Sequence, residues 1–220
     1  LGWRETGRFL IAKLQSQEPE DAITSGSVLR NSLSAAFPGT FIFFYERQLC
    51  MVADMDASRL DQTAFCSKLA PFLRDSLMYA GVSLPVDSVF HLNAAYTQAN
   101  YAMEHAFRLR SHQWCMAFED CALEYLGSQI KTPAALSLFL SPVPRLLRQY
   151  DREHGSQYFT TLKCFLLNER SIPKTAQALI IHRTTLLYRL EKIAALTKAD
   201  LDSEAVRLYL LLSFRLEEDT

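Results

Sequence analysis

Apolar and polar positions recur with helical spacing most clearly over residues 169–198, which read ERSIPKTAQALIIHRTTLLYRLEKIAALTK. The pattern predicts a short first helix over residues 174–179. Ser171 is suited to cap it, and Pro173 falls in its first turn, where a missing amide hydrogen costs nothing. Ala176 is small enough to let a second helix cross closely at a steep angle. The stretch therefore predicts a helix-turn-helix, with the apolar pair 180–181 filling the turn.

The second predicted helix covers residues 183–195. Its apolar residues recur at spacings of three and four, which places them on one inward face: Leu186, Leu187, Leu190 and Ile193. The opposite face and the start of the helix are polar and suit phosphates and base edges in a major groove. With two residues of the first helix, the candidate DNA-binding residues are Lys174, Thr175, His182, Arg183, Thr184, Thr185, Tyr188, Arg189 and Lys192.

The charge of this segment and the residue in its turn both bear on whether it binds DNA. Residues 171–198 carry five Lys or Arg against the single Glu191, in a chain whose formal net charge is −1, so positive potential is concentrated at the predicted groove-reading helix. The other interpretation is a solvated basic surface without a ligand. Ile180 also stands where many such turns have Gly, and a left-handed conformation there would be strained.

The pattern over residues 8–127 alternates between strand and helix periodicity. It predicts one sheet with helices packed on it. Two apolar segments, TFIFFY and QLCMVADM, flank the polar residues Glu46, Arg47 and Gln48, and this pattern is typical of a hairpin. The predicted strands are 8–15, 40–45, 48–55, 81–84 and 114–118, and the predicted helices are 24–37, 62–79 and 93–109.

Residues 128–144 predict a linker, because Pro142 and Pro144 should interrupt any helix that begins at Pro133. A helix opening near residue 146, a break at 155–156 and a helix lined by residues 158–166 follow. The last helix should start at Asp202 as its cap. Its unbroken apolar row at 208–212 indicates burial on more than one side, either in the core or in a subunit contact.

Composition narrows the class of protein. The 220 residues, 49% of them hydrophobic, allow two ordinary domains. Five scattered cysteines indicate free thiols in a reducing cytosol and neither a disulfide framework nor a metal site. Since no apolar run approaches the length of a membrane helix, we expect a cytoplasmic protein without membrane contact. The chain opens at Leu1, which predicts a fragment of a longer protein.

Residues 146–216 resemble the C-terminal DNA-binding domain of PucR/CdaR-type bacterial transcription regulators. The resemblance rests on LLRQYDREHGSQYFTTLKCFLLNE, KTAQALIIHRTTLLYRLEKI and LDSEAVRLYLLLSFRL, and HRTTLLYRLEKI is its most specific part. In this family an apolar residue in place of the turn Gly is unremarkable. The resemblance implies duplex DNA as the partner and a small-molecule effector sensed by a region that precedes these residues. A homodimer is expected because one helix-turn-helix buries a modest surface and such proteins usually pair on two half-sites.

The preceding part resembles a degenerate GGDEF-like domain, the kind found upstream of the helix-turn-helix in the same family. AGVSLP and AYTQANYAMEHAF carry this resemblance. Tyr96, Ala99 and Ala102 match, whereas Asn100 replaces a commonly basic residue. The organisation that follows is an α/β GGDEF-like domain over 1–127, the linker over 128–144, and an all-α helix-turn-helix domain over 145–220.

Catalysis is not expected. GGDEF enzymes use a Gly-Gly-acid-Glu hairpin, whereas Tyr45 to Gln48 stand here. Without glycines the backbone cannot approach a triphosphate closely, and Glu46 is a lone carboxylate where metal chemistry uses paired acids. We therefore predict a sequence-specific transcription regulator with no cofactor and no enzymatic activity. The alternatives are a nucleotide-binding or signalling GGDEF-like domain whose helical tail contacts proteins, and a purely structural dimerisation module.

Overall fold

The computed structural model of the chain describes residues 5–17, 22–109, 113–130 and 133–216. It divides into two compact units, residues 1–122 and 123–220, which we call the sheet unit and the helical unit. The predicted fold class, an α/β part followed by an all-α part, is confirmed.

The described residues of the sheet unit form six strands and four α-helices. The strands are β1 (Thr6–Ser16), β2 (Thr40–Tyr45), β3 (Gln48–Asp54), β4 (Met78–Val82), β5 (Val86–Ser88) and β6 (Cys115–Ala117). The helices are α1 (Ala22–Ala36), α2 (Met55–Ser58), α3 (Gln62–Asp75) and α4 (Leu92–Leu109). Most of these were predicted, the exceptions being α2 and β5, which are too short to show a period.

The sheet has the order β2-β3-β1-β4-β6, with β5 paired to one end of β1. β4 and β6 run parallel, and the other pairs are antiparallel. The long β1 lies in the centre, with Lys13 opposite both Cys50 on β3 and Gly81 on β4. β2 forms one edge of the sheet in the described part of the chain.

Alternation along β1 supplies a core on each face of the sheet. Leu10 and Leu14 pack with residues of α1 and α3, whereas Ile11 packs on the other face with Ala95 and Ala99 of α4. α4 lies very close to β4. A Cβ added at Gly81 would be only 2.1 Å from the Ala99 carbonyl oxygen. Only glycine fits at this crossing.

The predicted boundary between α3 and β4 is wrong. α3 ends at Asp75, Leu77 takes a left-handed conformation (φ 51°), and β4 begins at Met78, three residues before the expected Gly81. All five residues of β4 are buried. A strand buried on both faces reads as a continuous apolar run, which has no period to separate it from the end of a helix.

The helical unit consists of seven helices in its described part. They are α5 (Ala122–Ser128), α6 (Pro133–Phe139), α7 (Val143–His154), α8 (Tyr158–Leu167), α9 (Ile172–Ala178), α10 (Arg183–Thr197) and α11 (Glu204–Leu216). The core is formed by Leu147, Leu162, Leu166, Ile193, Leu210 and Phe214. The expected linker over 128–144 stays a prediction. Its described residues include α6 and the start of α7, and Pro142 is the N-cap of α7.

Asp151 joins α7 to α8. Its carboxylate accepts the N–H groups of Tyr158 and Phe159 at 2.8 and 2.9 Å and the Ser156 hydroxyl at 2.5 Å. The residue at the N-cap position, Gln157, makes no side-chain cap of its own. Asp151 therefore satisfies the first amides of α8 across the break at Gly155, which takes a left-handed conformation (φ 63°).

Two expectations for the last helix are corrected. Asp202 is not its cap, because α11 begins at Glu204 and the Ser203 hydroxyl accepts the Val206 N–H at 3.4 Å. Asp202 instead pairs with Arg170 at 2.5 Å. The apolar row is also not buried all round: Leu210 is 1% exposed, but Leu208 is 67% exposed.

Candidate nucleic-acid interface

α9 begins as its sequence predicts. The Ser171 hydroxyl accepts the Lys174 N–H at 3.5 Å, and Pro173 lies in the first turn. Ala176 is buried at the crossing with α10. Thr175 is also fully buried, and its hydroxyl donates to the Ser171 carbonyl oxygen at 2.8 Å. Since this side chain has no exposed surface, Thr175 is removed from the candidate DNA contacts.

The turn after α9 has the backbone of a Schellman motif. The N–H of Ile180 donates to the Gln177 carbonyl at 3.1 Å, and the N–H of Ile181 donates to the Ala176 carbonyl at 3.0 Å. The motif requires a left-handed residue, and Ile180 takes that conformation (φ 54°). Its side chain does not fill the turn as expected, because it is 92% exposed. The predicted strain at a turn without glycine is therefore present.

α10 presents its N-terminus to solvent. His182 is its N-cap, and its Nδ1 accepts the Thr184 N–H at 3.4 Å and lies 2.8 Å from the Thr184 hydroxyl. Arg183, Thr184 and Thr185 are all exposed. These three side chains at the start of α10 are therefore accessible to an external partner.

The inward face of α10 is narrower than predicted. Leu186 and Ile193 are fully buried and Leu190 is half-buried, but Leu187 is 43% exposed. Consecutive residues of a helix lie about 100° apart, so when Leu186 points into the core Leu187 lies on the flank. The buried residues fix the rotation of α10 and thereby decide which of its side chains face solvent.

The exposed face of α10 carries Tyr188, which is 56% exposed, and Lys192, whose Nζ lies 5.4 Å from the centroid of the Tyr188 ring. Arg189 was predicted on this face, but its guanidinium is engaged within the unit. It donates to the Gln157 side-chain oxygen at 3.1 Å and to the Thr161 hydroxyl at 3.2 Å. Arg189 thus ties α10 to the start of α8.

Gln157 and Thr161 were missed by sequence reasoning. They lie 32 and 28 positions before Arg189, and no local pattern connects residues that far apart. Asp151, whose carboxylate accepts the first amides of α8, was missed as well, although the break at Gly155 and Ser156 was predicted.

The hairpin between β2 and β3 lies beside a second cluster of polar side chains in the sheet unit. Glu46 and Arg47 both take left-handed conformations (φ 50° and 64°), which makes a two-residue type I′ turn without glycine. Behind it, the Lys13 ammonium donates to the Tyr96 hydroxyl at 2.7 Å and to the Asn100 side-chain oxygen at 2.5 Å. A buried cation thus occupies the face of the sheet beside the hairpin.

Burial shifts the pKa values of two side chains in this cluster. It lowers the pKa of Lys13, an effect that Cys50, Glu46 and Glu104 partly oppose, and it raises the pKa of Cys50 to about 11. Among the described residues, no group of three His, Cys, Asp or Glu side chains is arranged to hold a metal ion.

α9 and α10 of the helical unit form a helix-turn-helix. Residues 158–216 match the PucR C-terminal helix-turn-helix domain, and residues 1–105 match a GGDEF-like domain. Both parts of the predicted resemblance, a PucR-type helix-turn-helix domain and a GGDEF-like domain before it, are thus confirmed. No helix in the described ranges is long and apolar enough to cross a membrane.

Two further comparisons place the chain among known proteins. The proline-responsive transcriptional activator PutR of Bacillus subtilis (strain 168) is 28% identical over 142 residues, which are 63% of this chain and 34% of that protein. The matched region therefore spans about a third of that relative's length. A crystal structure of a regulator of polyketide synthase expression from Bifidobacterium adolescentis aligns with a TM-score of 0.45 and 18% identity, over 99% of this chain and 83% of that chain.

Proposed function

We propose that the chain recognises specific sequences of duplex DNA through α9 and α10 and thereby regulates transcription. The observation that carries this proposal is the start of α10. Arg183, Thr184 and Thr185 are exposed there, while Leu186 and Ile193 anchor the same helix in the core. A helix held rigidly with an exposed polar N-terminus suits insertion into a major groove.

The proposed roles differ along the interface. Arg183 and Thr185 read bases, since Arg suits a bidentate contact with guanine. His182 and Thr184 are bonded to each other and contact the DNA near the helix start. Lys174, Tyr188 and Lys192 contact phosphates and sugars. Arg189 holds α10 in place and makes no phosphate contact in this proposal, because Gln157 and Thr161 engage its guanidinium.

The sheet unit is proposed to have no enzymatic activity. The turn at Glu46 and Arg47 has no glycine to let a triphosphate approach the backbone closely, and Glu46 is a lone carboxylate where metal chemistry uses paired acids. The chain incubated with GTP and magnesium or manganese should give no cyclic dinucleotide. Product that disappears in Glu46→Ala would overturn this part of the proposal.

The proposal includes a cytoplasmic homodimer. One helix-turn-helix covers a modest surface, and such proteins usually pair on two half-sites about 34–36 Å apart. Pairing makes the second contact intramolecular and can strengthen binding by about 10²–10⁴. We expect this chain alone to dimerise poorly, and we assign effector sensing to a region outside these residues, as the PucR-type resemblance implies.

The decisive experiment selects bound sequences from random duplex DNA with the intact chain and with Arg183→Ala. We expect one enriched motif for the intact chain. Arg183→Ala should cost about 1–3 kcal/mol at that motif and relax the preference at one position. The matched control is Arg183→Lys, which keeps the charge but loses the bidentate fork.

Arg183→Lys and Lys192→Ala separate base recognition from electrostatic attraction to the DNA phosphates. Arg183→Lys should relax the same position while keeping the slope of log affinity against log salt. Lys192→Ala should weaken all sequences alike and flatten that slope by about one unit. An unchanged selected sequence in Arg183→Ala would refute the assignment of Arg183, and no enrichment for the intact chain would refute sequence-specific binding.

A further inference from the structure

The strand β2, at the edge of the sheet in the described part of the chain, has no charge or proline to protect it. β2 reads TFIFFY and carries no charge, proline or glycine over Thr40–Tyr45. Natural proteins blunt exposed edges with charges, prolines, bulges or covering segments, because free backbone groups there recruit other strands. An unprotected edge is therefore expected to have a strand partner.

The backbone groups available at this edge follow from the hairpin. Because the turn Glu46–Arg47 has two residues, Tyr45 closes the hairpin as a hydrogen-bonded pair with β3. Alternation then turns the N–H and C=O groups of Ile42 and Phe44 away from β3. The Thr40 N–H is used within the unit, since it donates to the Phe37 carbonyl oxygen at 3.2 Å. Two residues thus offer four outward groups.

One face of β2 carries a row of aromatic side chains. Phe41 and Phe43 stack with their ring centroids 5.0 Å apart, and the Tyr45 ring meets Tyr96 edge-on at 5.4 Å. Phe41 is 41% and Tyr45 49% exposed, whereas Phe43 is half-buried. α4 covers the inner part of this face at Phe43, whereas Phe41 and Tyr45 keep part of their surface exposed.

We propose that β2 pairs with β2 of a second copy of this chain, antiparallel and centred on Phe43. This inference rests on the homodimer of the proposed function and assigns its contact surface in the sheet unit. In this register Ile42 of each copy lies opposite Phe44 of the other, so the four outward groups of each strand are satisfied by four hydrogen bonds across the two-fold axis.

The side chains are self-complementary in the same register. Phe43 meets its own counterpart, and Phe41 of each copy meets Tyr45 of the other, at the positions where side chains of an antiparallel pair come closest. The charges at the turn, Glu46 and Arg47, face the uncharged Thr40 and Gly39 of the second copy. A parallel pairing would instead oppose like charges, so the antiparallel dimer is favoured.

The contact is small. Six residues at about 3.3 Å each make a strip about 20 Å long and one strand wide, well below the roughly 800 Å² per partner of standard interfaces. This size accounts for the poor dimerisation expected of the chain in free solution. A duplex with two half-sites would raise the local concentration of the second copy and favour pairing.

A charge-swap pair of variants tests the register. F41K/Y45K places lysine opposite lysine across the axis, whereas F41K/Y45E places lysine opposite glutamate at the same two exposed positions. By sedimentation of the intact 220-residue chain at high concentration, F41K/Y45K should weaken the dimer at least tenfold, and F41K/Y45E should restore most of the wild-type affinity. L208K, on the exposed face of α11, is the control for the rival surface and should leave the dimer unchanged.

Several outcomes would overturn the proposal. These are a wild-type chain that stays monomeric at all concentrations and with double half-site DNA, charge-swap variants that behave alike, or a dimer lost in L208K. As a second measurement, made with Cys50→Ser to remove the thiol opposite position 43 on β3, F43C should form a disulfide-linked dimer under mild oxidation with diamide, whereas Y45C, which lies four residues off its own counterpart, should not. Cross-linking of Y45C in preference to F43C would refute the register.

Binding to a single half-site separates this inference from the proposed function. F41K/Y45K should bind one half-site as the wild type does and lose only the gain from a second half-site. If the wild-type chain dimerises through β2 but binds no duplex, the proposed function fails and the β2 contact stands. If F41K/Y45K keeps the full gain from the second half-site, the β2 contact fails and DNA recognition stands.

Discussion

Replacing Ile180 with glycine should stabilise the helical unit. Ile180 holds the left-handed position of the turn between α9 and α10, with φ at 54°. A β-branched residue is the least suited to this conformation, which costs L-residues about 1–2 kcal/mol. Glycine adopts it without that cost.

The magnitude follows from two opposing effects. Since Ile180 is 92% exposed, removing its side chain forfeits only about 0.2 kcal/mol of burial. Glycine also widens the unfolded ensemble, which costs about 0.4–1 kcal/mol. The relief of the left-handed conformation exceeds the sum of these costs, so we expect a net gain of about 0.5 kcal/mol, or roughly 2–4 °C in a unit of this size.

Differential scanning calorimetry of the intact chain measures this gain, with two comparisons. Ile180→Ala keeps the Cβ and with it most of the left-handed cost, so its midpoint should fall below that of Ile180→Gly. Ala194→Gly, at an exposed position inside α10, should destabilise by about 1 kcal/mol. The reasoning is refuted if Ile180→Gly lowers the midpoint as Ala194→Gly does, because Ile180 would then contribute packing that its exposure does not reveal.

Three further predictions concern residues that hold helices in place. Asp151→Ala should destabilise by about 1–3 kcal/mol in urea, because two amides of α8 and the Ser156 hydroxyl lose their acceptor, and Asp151→Asn should lose less; equal losses would contradict this role. Gly81→Ala should destabilise by about 3 kcal/mol or more in thermal unfolding, since its Cβ would lie 2.1 Å from backbone atoms of α4, and a neutral effect would contradict the close crossing. Arg189→Ala should destabilise the helical unit by about 0.5–1.5 kcal/mol, because its hydrogen bonds to Gln157 and Thr161 are lost, yet leave the salt dependence of DNA binding unchanged. A slope of log affinity against log salt reduced by one unit would show that Arg189 contacts a phosphate.

The helix-turn-helix could be predicted from the sequence because its signals are local. Ser171 and Pro173 mark the start of α9, and the spacing of Leu186, Leu190 and Ile193 defines the inner face of α10. Each of these relations spans ten residues or fewer. Even the strain at Ile180 was visible as the absence of glycine from a turn that needs a left-handed residue.

The roles of individual polar side chains could not be predicted in the same way. Thr175 is polar, but it is fully buried and its hydroxyl donates to the carbonyl oxygen of Ser171, the N-cap of α9. Arg189 sits on the outer half of α10, but its partners come from α8. Residue type indicates what a side chain can bind, whereas tertiary packing decides whether that capacity is spent inside the protein.

The crossing at Gly81 limits how the sheet unit can move. A strand and a helix separated by side chains can slide past one another by changing rotamers, but β4 and α4 meet backbone to backbone, with Gly81 against Ala99 and Met103. Such a contact has no side-chain layer to absorb a shift. The pair should therefore move as one body, so that a displacement of α4 carries β4 with it.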